Sequence, residues 1–175
     1  GKLQAETWGN LSALHSDPVE KKPLYHFYPG KSILSLGSTG CNMSCSCCQN
    51  WHISQSPASG FRFEKTLIPM DIVKMASSLK DNIGIAYTYN EPTVWFEYMI
   101  DIARMIRSEG LKNVMVSNGY INEEPLHELM PYMDAFNIDL KGFSEDFYGK
   151  FAGASLAPVL RTLKQISLAG KHLEI

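Results

Sequence analysis

The sequence is poor in charge of either sign. Asp, Glu, Lys and Arg make up 19% of its 175 residues, and the formal net charge is −2. A chain so balanced carries no electrostatic footprint for a polyanion, so neither nucleic acid nor an anionic membrane is expected as a partner. No apolar run reaches the roughly 18 residues that cross a bilayer. The stretch from Gly1 to His15 lacks the basic-then-apolar pattern of a secretion signal, which makes the cytoplasm the expected location. There is no sequence repeat and no low-complexity tract. Cysteine is scarce as well: there are four, all between positions 41 and 48. Thiols gathered in one place cannot staple a fold by closing long loops, and they point to metal instead.

What is present is a globular composition, 45% apolar, on a length that suits one domain. Residues 1–30 read as an N-terminal cap segment with turn signals at Asp17-Pro18 and Tyr28-Pro29-Gly30. From there to residue 175 the patterning is regular. Strands are predicted over Ser32–Ser38, Ile83–Tyr89, Asn113–Val116 and Ala135–Leu140. Helices are predicted over Pro69–Lys80, Val94–Glu109, Glu123–Met133 and Leu156–Ala169. The second is the clearest, with Trp95, Tyr98, Met99, Ile102 and Ile106 on one side and Gly110 as its stop. Alternating strands and helices argue for an α/β fold of parallel βα units, a partial (β/α) barrel. His172–Ile175 reads as a fifth strand cut short, which would leave a sheet edge unpaired. The expectation is a core truncated at its C-terminus, with further βα units belonging to a longer protein.

The cysteines sit in Gly37-Ser38-Thr39-Gly40-Cys41-Asn42-Met43-Ser44-Cys45-Ser46-Cys47-Cys48-Gln49-Asn50, directly after the first regular strand. Cys41, Cys45 and Cys48 form C-x3-C-x2-C. Three thiolates on a tight loop can hold three irons of a cubane cluster, whereas a ferredoxin-type carrier closes its cubane with four. The fourth iron then stays open, as a reactive metal site requires. In α/β folds ligands gather beyond the carboxyl ends of the strands, where this loop lies. A zinc site completed by His52, an electron-transfer iron–sulfur module and a redox disulfide are the alternatives. Vicinal Cys47 and Cys48 cannot both readily ligate one cluster, and the spacing selects Cys48.

This motif resembles the signature of the radical S-adenosylmethionine superfamily. With Tyr25-His26-Phe27-Tyr28-Pro29-Gly30, Gly40-Cys41-Asn42 and Cys48-Gln49-Asn50, the chain is similar to the radical enzymes of the AmmeMemoRadiSam system and to pyruvate formate-lyase activating enzymes, from Asp17-Pro18 to Glu174. One position departs from the pattern: the residue before the third ligand is usually aromatic, and here it is Cys47. The resemblance implies a [4Fe–4S] cluster on Cys41, Cys45 and Cys48, S-adenosylmethionine on the open iron, and a reductant such as flavodoxin or ferredoxin.

Candidate cofactor contacts lie past the strand ends. Tyr89-Asn90-Glu91-Pro92-Thr93 stands where the superfamily places a Gly-Gly-Glu-type segment, so the resemblance makes Glu91 a partner of the methionyl ammonium, with Asn90 and Thr93 beside it. The same residues can start a helix, Thr93 capping it and Glu91 favouring its positive end. Ser117 and Asn118 stand near the expected ribose and methionyl part, or form an ordinary Asn-Gly turn with Gly119. The fourth strand ends in Asn137-Ile138-Asp139-Leu140-Lys141, so Asn137, Asp139 and Lys141 share one face, and polar side chains there call for a ligand cavity. The resemblance makes Asp139 and Lys141 contacts to the carboxylate or ribose; a buried Asp–Lys pair is the alternative. The implied reaction is reductive cleavage of S-adenosylmethionine to a 5′-deoxyadenosyl radical that abstracts hydrogen from a substrate. That substrate is either a partner protein activated by a glycyl radical, or a small molecule or protein side chain.

Overall fold

The computed structural model describes residues 5–63 and 66–175. Six strands form one sheet in chain order: β1 (Ala13–Pro18), β2 (Ser32–Gly37), β3 (Asn82–Tyr87), β4 (Lys112–Ser117), β5 (Ala135–Ile138) and β6 (His172–Glu174). β1 runs antiparallel to β2, and all later neighbours are parallel. Each parallel pair is joined through helical segments: α1 (Trp51–Ser54) and α2 (Pro69–Ser78), then α3 (Phe96–Ser108), α4 (Glu123–Leu129), and α5 (Glu145–Phe147) with α6 (Leu156–Leu168). The sheet is not closed; β1 and β6 are its two edges among the described residues. The architecture is the α/β arc of parallel strands expected from the alternation of patterns.

Period-two alternation divides the strand side chains between two layers. Leu34, Leu36, Ile85, Tyr87, Met115, Phe136 and Ile138 face the helices and share one core with them. From α3 this core receives Tyr98, Met99, Ile102 and Ile106, all 0% exposed. Burying an aliphatic side chain of that size contributes roughly 1.5–3 kcal/mol. Ile33, Ala86, Val114 and Ala135 face the other way, against Val19 and Leu24. The N-terminal segment therefore does more than precede the sheet. It supplies β1 and covers part of the inner face.

Several boundaries differ from the sequence patterns for identifiable reasons. β1 escapes notice because its buried member is a carboxylate, Asp17, rather than an apolar residue. The expected helix from Val94 begins as a 3₁₀ turn over Pro92–Trp95, and its cap is Glu91, whose carboxylate accepts from the Thr93 N–H at 3.1 Å, not Thr93. β5 stops at Ile138, so Asn137, Asp139 and Lys141 do not form one strand face. Asn137 instead donates to the Pro23 carbonyl at 3.1 Å on the inner face. Residues 145–152, with no periodicity to mark them, form α5 and one π turn over Tyr148–Ala152, ended by Gly153 at φ 62°.

Candidate functional site

The cysteine loop leaves the carboxyl end of β2 and is tied down at both ends. Near its start, the Asn90 amide accepts from the Ser38 N–H at 3.0 Å and donates to the Gly40 carbonyl at 2.9 Å. Near its end, the Asn50 amide donates to the Tyr89 carbonyl at 2.7 Å. In the middle, the N–H groups of Ser44 and Ser46 donate to the carbonyls of Ala152 and Phe151, both at 2.9 Å. Asn42 crosses to the loop after β4, donating to the Tyr120 carbonyl at 2.6 Å. A thirteen-residue excursion, residues 38–50, is thus held by the segments after β3 and β4 and by the π turn over Tyr148–Ala152. That is how a loop can be made rigid enough to present ligands.

All four cysteines are free thiols; Cys41, Cys45 and Cys48 are half-buried and Cys47 is exposed. Cys48 Sγ lies 3.1 Å from Ser54 Oγ. Cys41 Sγ accepts from the Met43 N–H at 3.4 Å and from the Asn118 amide at 3.6 Å. Burial pushes the Cys41 thiol up to about 11, and the charges of Glu91, Cys45 and Cys48 add to the effect. Burial also raises Cys45, with Cys48 and Cys47 against it and only Lys141 helping ionisation by its charge. Thiols that oppose one another's ionisation become thiolates together when a metal group neutralises them. Among the described residues, no three His, Cys, Asp or Glu side chains surround a single-ion position, His52 included. A cubane does not ask for that, because each cysteine binds its own iron. The Thr39 hydroxyl, two residues before Cys41, is buried with no partner among the described residues, a spare donor at the base of the loop. The donor set fits an iron–sulfur cubane better than one zinc ion.

Glu91 is the centre of the adjoining polar cluster. It is 2% exposed. One carboxylate oxygen accepts from the Ser117 hydroxyl at 2.8 Å and the Thr93 N–H at 3.1 Å, and the other from the Asn118 N–H at 2.8 Å. Burial raises its pKa, and these donors pull it back. The Asn118 amide donates to Asn42 Oδ1 at 2.9 Å as well as towards Cys41. Thr93 Oγ1 accepts from the Asn42 amide at 3.3 Å. Lys141 reaches Asp139 at 2.8 Å with 32% of its side chain exposed. Burial alone would lower its pKa, but the charge and hydrogen bond of Asp139, with the charges of Cys45 and Glu91, together outweigh this, and the net shift is upward. Lys141 therefore stands in the field of both the thiol loop and the buried carboxylate.

The structure brings Cys41, Cys45, Cys48, Glu91, Thr93, Ser117, Asn118, Asp139 and Lys141 to the carboxyl-end side of the sheet. Asn90 is 9% exposed, and its amide is engaged by the backbone of the cysteine loop and by Trp95 Nε1 at 3.3 Å. Sequence reasoning missed Asn42, Asn50 and Tyr89 as ties of the loop. The first two flank the cysteines directly, so their proximity was the available signal. Tyr89 had none, because its role comes from its backbone: φ is 72°, a left-handed value that costs a non-glycine residue roughly 1–2 kcal/mol.

Comparison with known proteins agrees with this geometry. The family model described as the radical SAM superfamily matches residues 36–173. The chain is 46% identical over 176 aligned residues to an uncharacterized protein of Methanocaldococcus jannaschii, covering 100% of this chain and 51% of that one. It is 21% identical over 90 residues to the (2S)-3-sulfopropanediol dehydratase activating enzyme of Klebsiella oxytoca, covering 51% of this chain and 28% of that one. The fold is similar to that of Streptococcus suis SuiB bound to S-adenosylmethionine, with a TM-score of 0.57 at 16% identity, over 81% of this chain and 32% of that one. The chain spans about half the length, or less, of the curated relatives it matches.

Proposed function

The chain belongs to the radical SAM superfamily, whose cofactors are a [4Fe–4S] cluster and S-adenosylmethionine, and on that premise we propose that Cys41, Cys45 and Cys48 hold the cluster here. The observation that carries this reading is three half-buried thiols on one pinned loop, coupled to one another and fitting no single-ion site. Cys47 is exposed and stays outside the cluster. A cluster and S-adenosylmethionine held here would, with one electron from the reductant, supply radical hydrogen abstraction from a substrate. This chain's own side chains bind and orient. Lys141, partnered by Asp139, offers a cation to the methionyl carboxylate. Glu91 holds the loops after β3 and β4 together through Thr93, Ser117 and Asn118, and its remaining lone pair would accept from the methionyl ammonium. Asn90 fixes the loop rather than the nucleotide. In this reading residues 31–175 are the radical SAM core and residues 1–30 its cap.

Within this chemistry we favour activation of a partner protein by hydrogen abstraction from a glycine, with a flavodoxin- or ferredoxin-like reductant in the cytoplasm. The support is the likeness to the Klebsiella activating enzyme. The test is anaerobic reconstitution with iron and sulfide, followed by reduction and assay for 5′-deoxyadenosine. Formation that disappears in Cys41→Ser, Cys45→Ser and Cys48→Ser but survives in Cys47→Ser is the expected result. Zinc uptake without acid-labile sulfide overturns the reading.

A further inference from the structure

We propose that Asp17, Lys22 and Tyr89 form a clamp that holds a strained turn under the cysteine loop, making Asp17 and Lys22 positioning residues for the cluster site. The proposal rests on the functional reading above for its purpose, and on the geometry alone for its existence. The Asn90 N–H donates to the Thr88 carbonyl at 3.0 Å, closing a three-residue γ-turn with Tyr89 at its centre, φ 72°. A γ-turn with positive φ is the rarer and more strained of the two forms. Both ends of the cysteine loop hang on this turn. The Tyr89 carbonyl receives the Asn50 amide, and the Asn90 side chain grips Ser38 and Gly40.

A tyrosine keeps such a backbone only if its surroundings hold it there. The ring does so from three sides. Its hydroxyl donates to Asp17 Oδ2 at 2.5 Å. Lys22 Nζ stands 4.5 Å from the ring centroid and 2.7 Å from the same Asp17 oxygen. Gly37, the last residue of β2, lets the ring lie against the strand end, since a Cβ there would meet Tyr89 Cβ at 2.9 Å. Asp17 and Lys22 are 5% and 2% exposed, so the ion pair is a buried, committed structure and not a surface contact. Burying a Lys–Asp pair adds little net stability by itself. Its placement on the one strained residue that anchors the loop gives it a purpose.

Hydrogen exchange read by mass spectrometry on peptides spanning residues 38–50 tests the clamp in cluster-free protein, with iron and sulfide content of the reconstituted protein read in parallel. Tyr89→Phe keeps the ring and the strain but loses the tie to Asp17, so exchange across the loop speeds up about tenfold, the factor corresponding to the handedness cost of a non-glycine residue. Tyr89→Gly removes the whole side chain but also the strain, so exchange stays within about twofold of wild type. Asp17→Asn accelerates exchange in the wild-type background and not in Tyr89→Gly. Thermal unfolding of each variant separates loop release from loss of the fold. The clamp is wrong if Tyr89→Gly loosens the loop more than Tyr89→Phe, or if Asp17→Asn acts equally in both backgrounds. A wild type that takes up no iron and sulfide refutes the cluster assignment while leaving the exchange order readable, so the two failures are distinct.

Discussion

Single residues on this chain divide sharply by what their side chains are committed to. Glu91 and Asn90 have nearly every polar atom engaged by protein, whereas Lys141, among the described residues, keeps donors free beside Asp139. Lys141→Met is therefore expected to weaken S-adenosylmethionine binding by about tenfold, the loss of one charge-assisted bond, with the cluster content unchanged. Isothermal titration of the reconstituted protein measures it. Glu91→Gln acts differently. It replaces an acceptor of three donors and strands at least one of them, so thermal stability falls together with binding. A third residue-scale effect concerns Glu174. Burial alone would raise its pKa, but His172 and the N–H groups of Tyr25 and His26 outweigh burial and lower it from 4.5 to about 2. Its folded pKa lies below its unfolded one, so its contribution to stability is complete above about pH 4.5 and is lost as pH falls towards 2. Urea midpoints of wild type and Glu174→Gln are expected to differ at neutral pH and to converge across that window.

At the scale of elements, the strands and long helices were legible because their faces are apolar at the right period. β3, β4 and α3 needed nothing else. What the sequence concealed follows from polar burial. β1 hides behind Asp17, and the clamp depends on Lys22, a lysine with no apolar pattern around it. The C-x3-C-x2-C spacing singled out the proposed ligands, but the pins of their loop come from Asn50, Asn90 and the π turn, each fixed by long-range contacts that no local pattern encodes. The β3–β4 contact offers a test of the element-scale account. At Gly84 a Cβ would collide with the backbone of Lys112 on β4. Gly84→Ala is expected to destabilise the fold by about 3 kcal/mol, at the upper end of overpacking costs, in chemical denaturation. Tyr87 donates to Asn113 Oδ1 at 2.8 Å with 0% exposure, so Tyr87→Phe strands a buried acceptor and costs about 1–3 kcal/mol by the same measurement.

For the whole molecule, the open arc of parallel strands gathers every proposed ligand on the side of the sheet where its strands end. The helices pack on one face and the N-terminal segment lies on part of the other, while loop, carboxylate and lysine come from three different strand ends, those of β2, β3 and β5. Such convergence is what this architecture offers to chemistry. In this reading three thiols leave one iron of a cubane open to an amino-acid-tailed nucleotide. Electron paramagnetic resonance of the reduced, reconstituted protein, with and without S-adenosylmethionine, puts that open iron to the test. A [4Fe–4S]⁺ signal whose g-values shift when S-adenosylmethionine is added is the expected result. A cubane signal that the nucleotide leaves untouched, or no cubane signal at all, would contradict it.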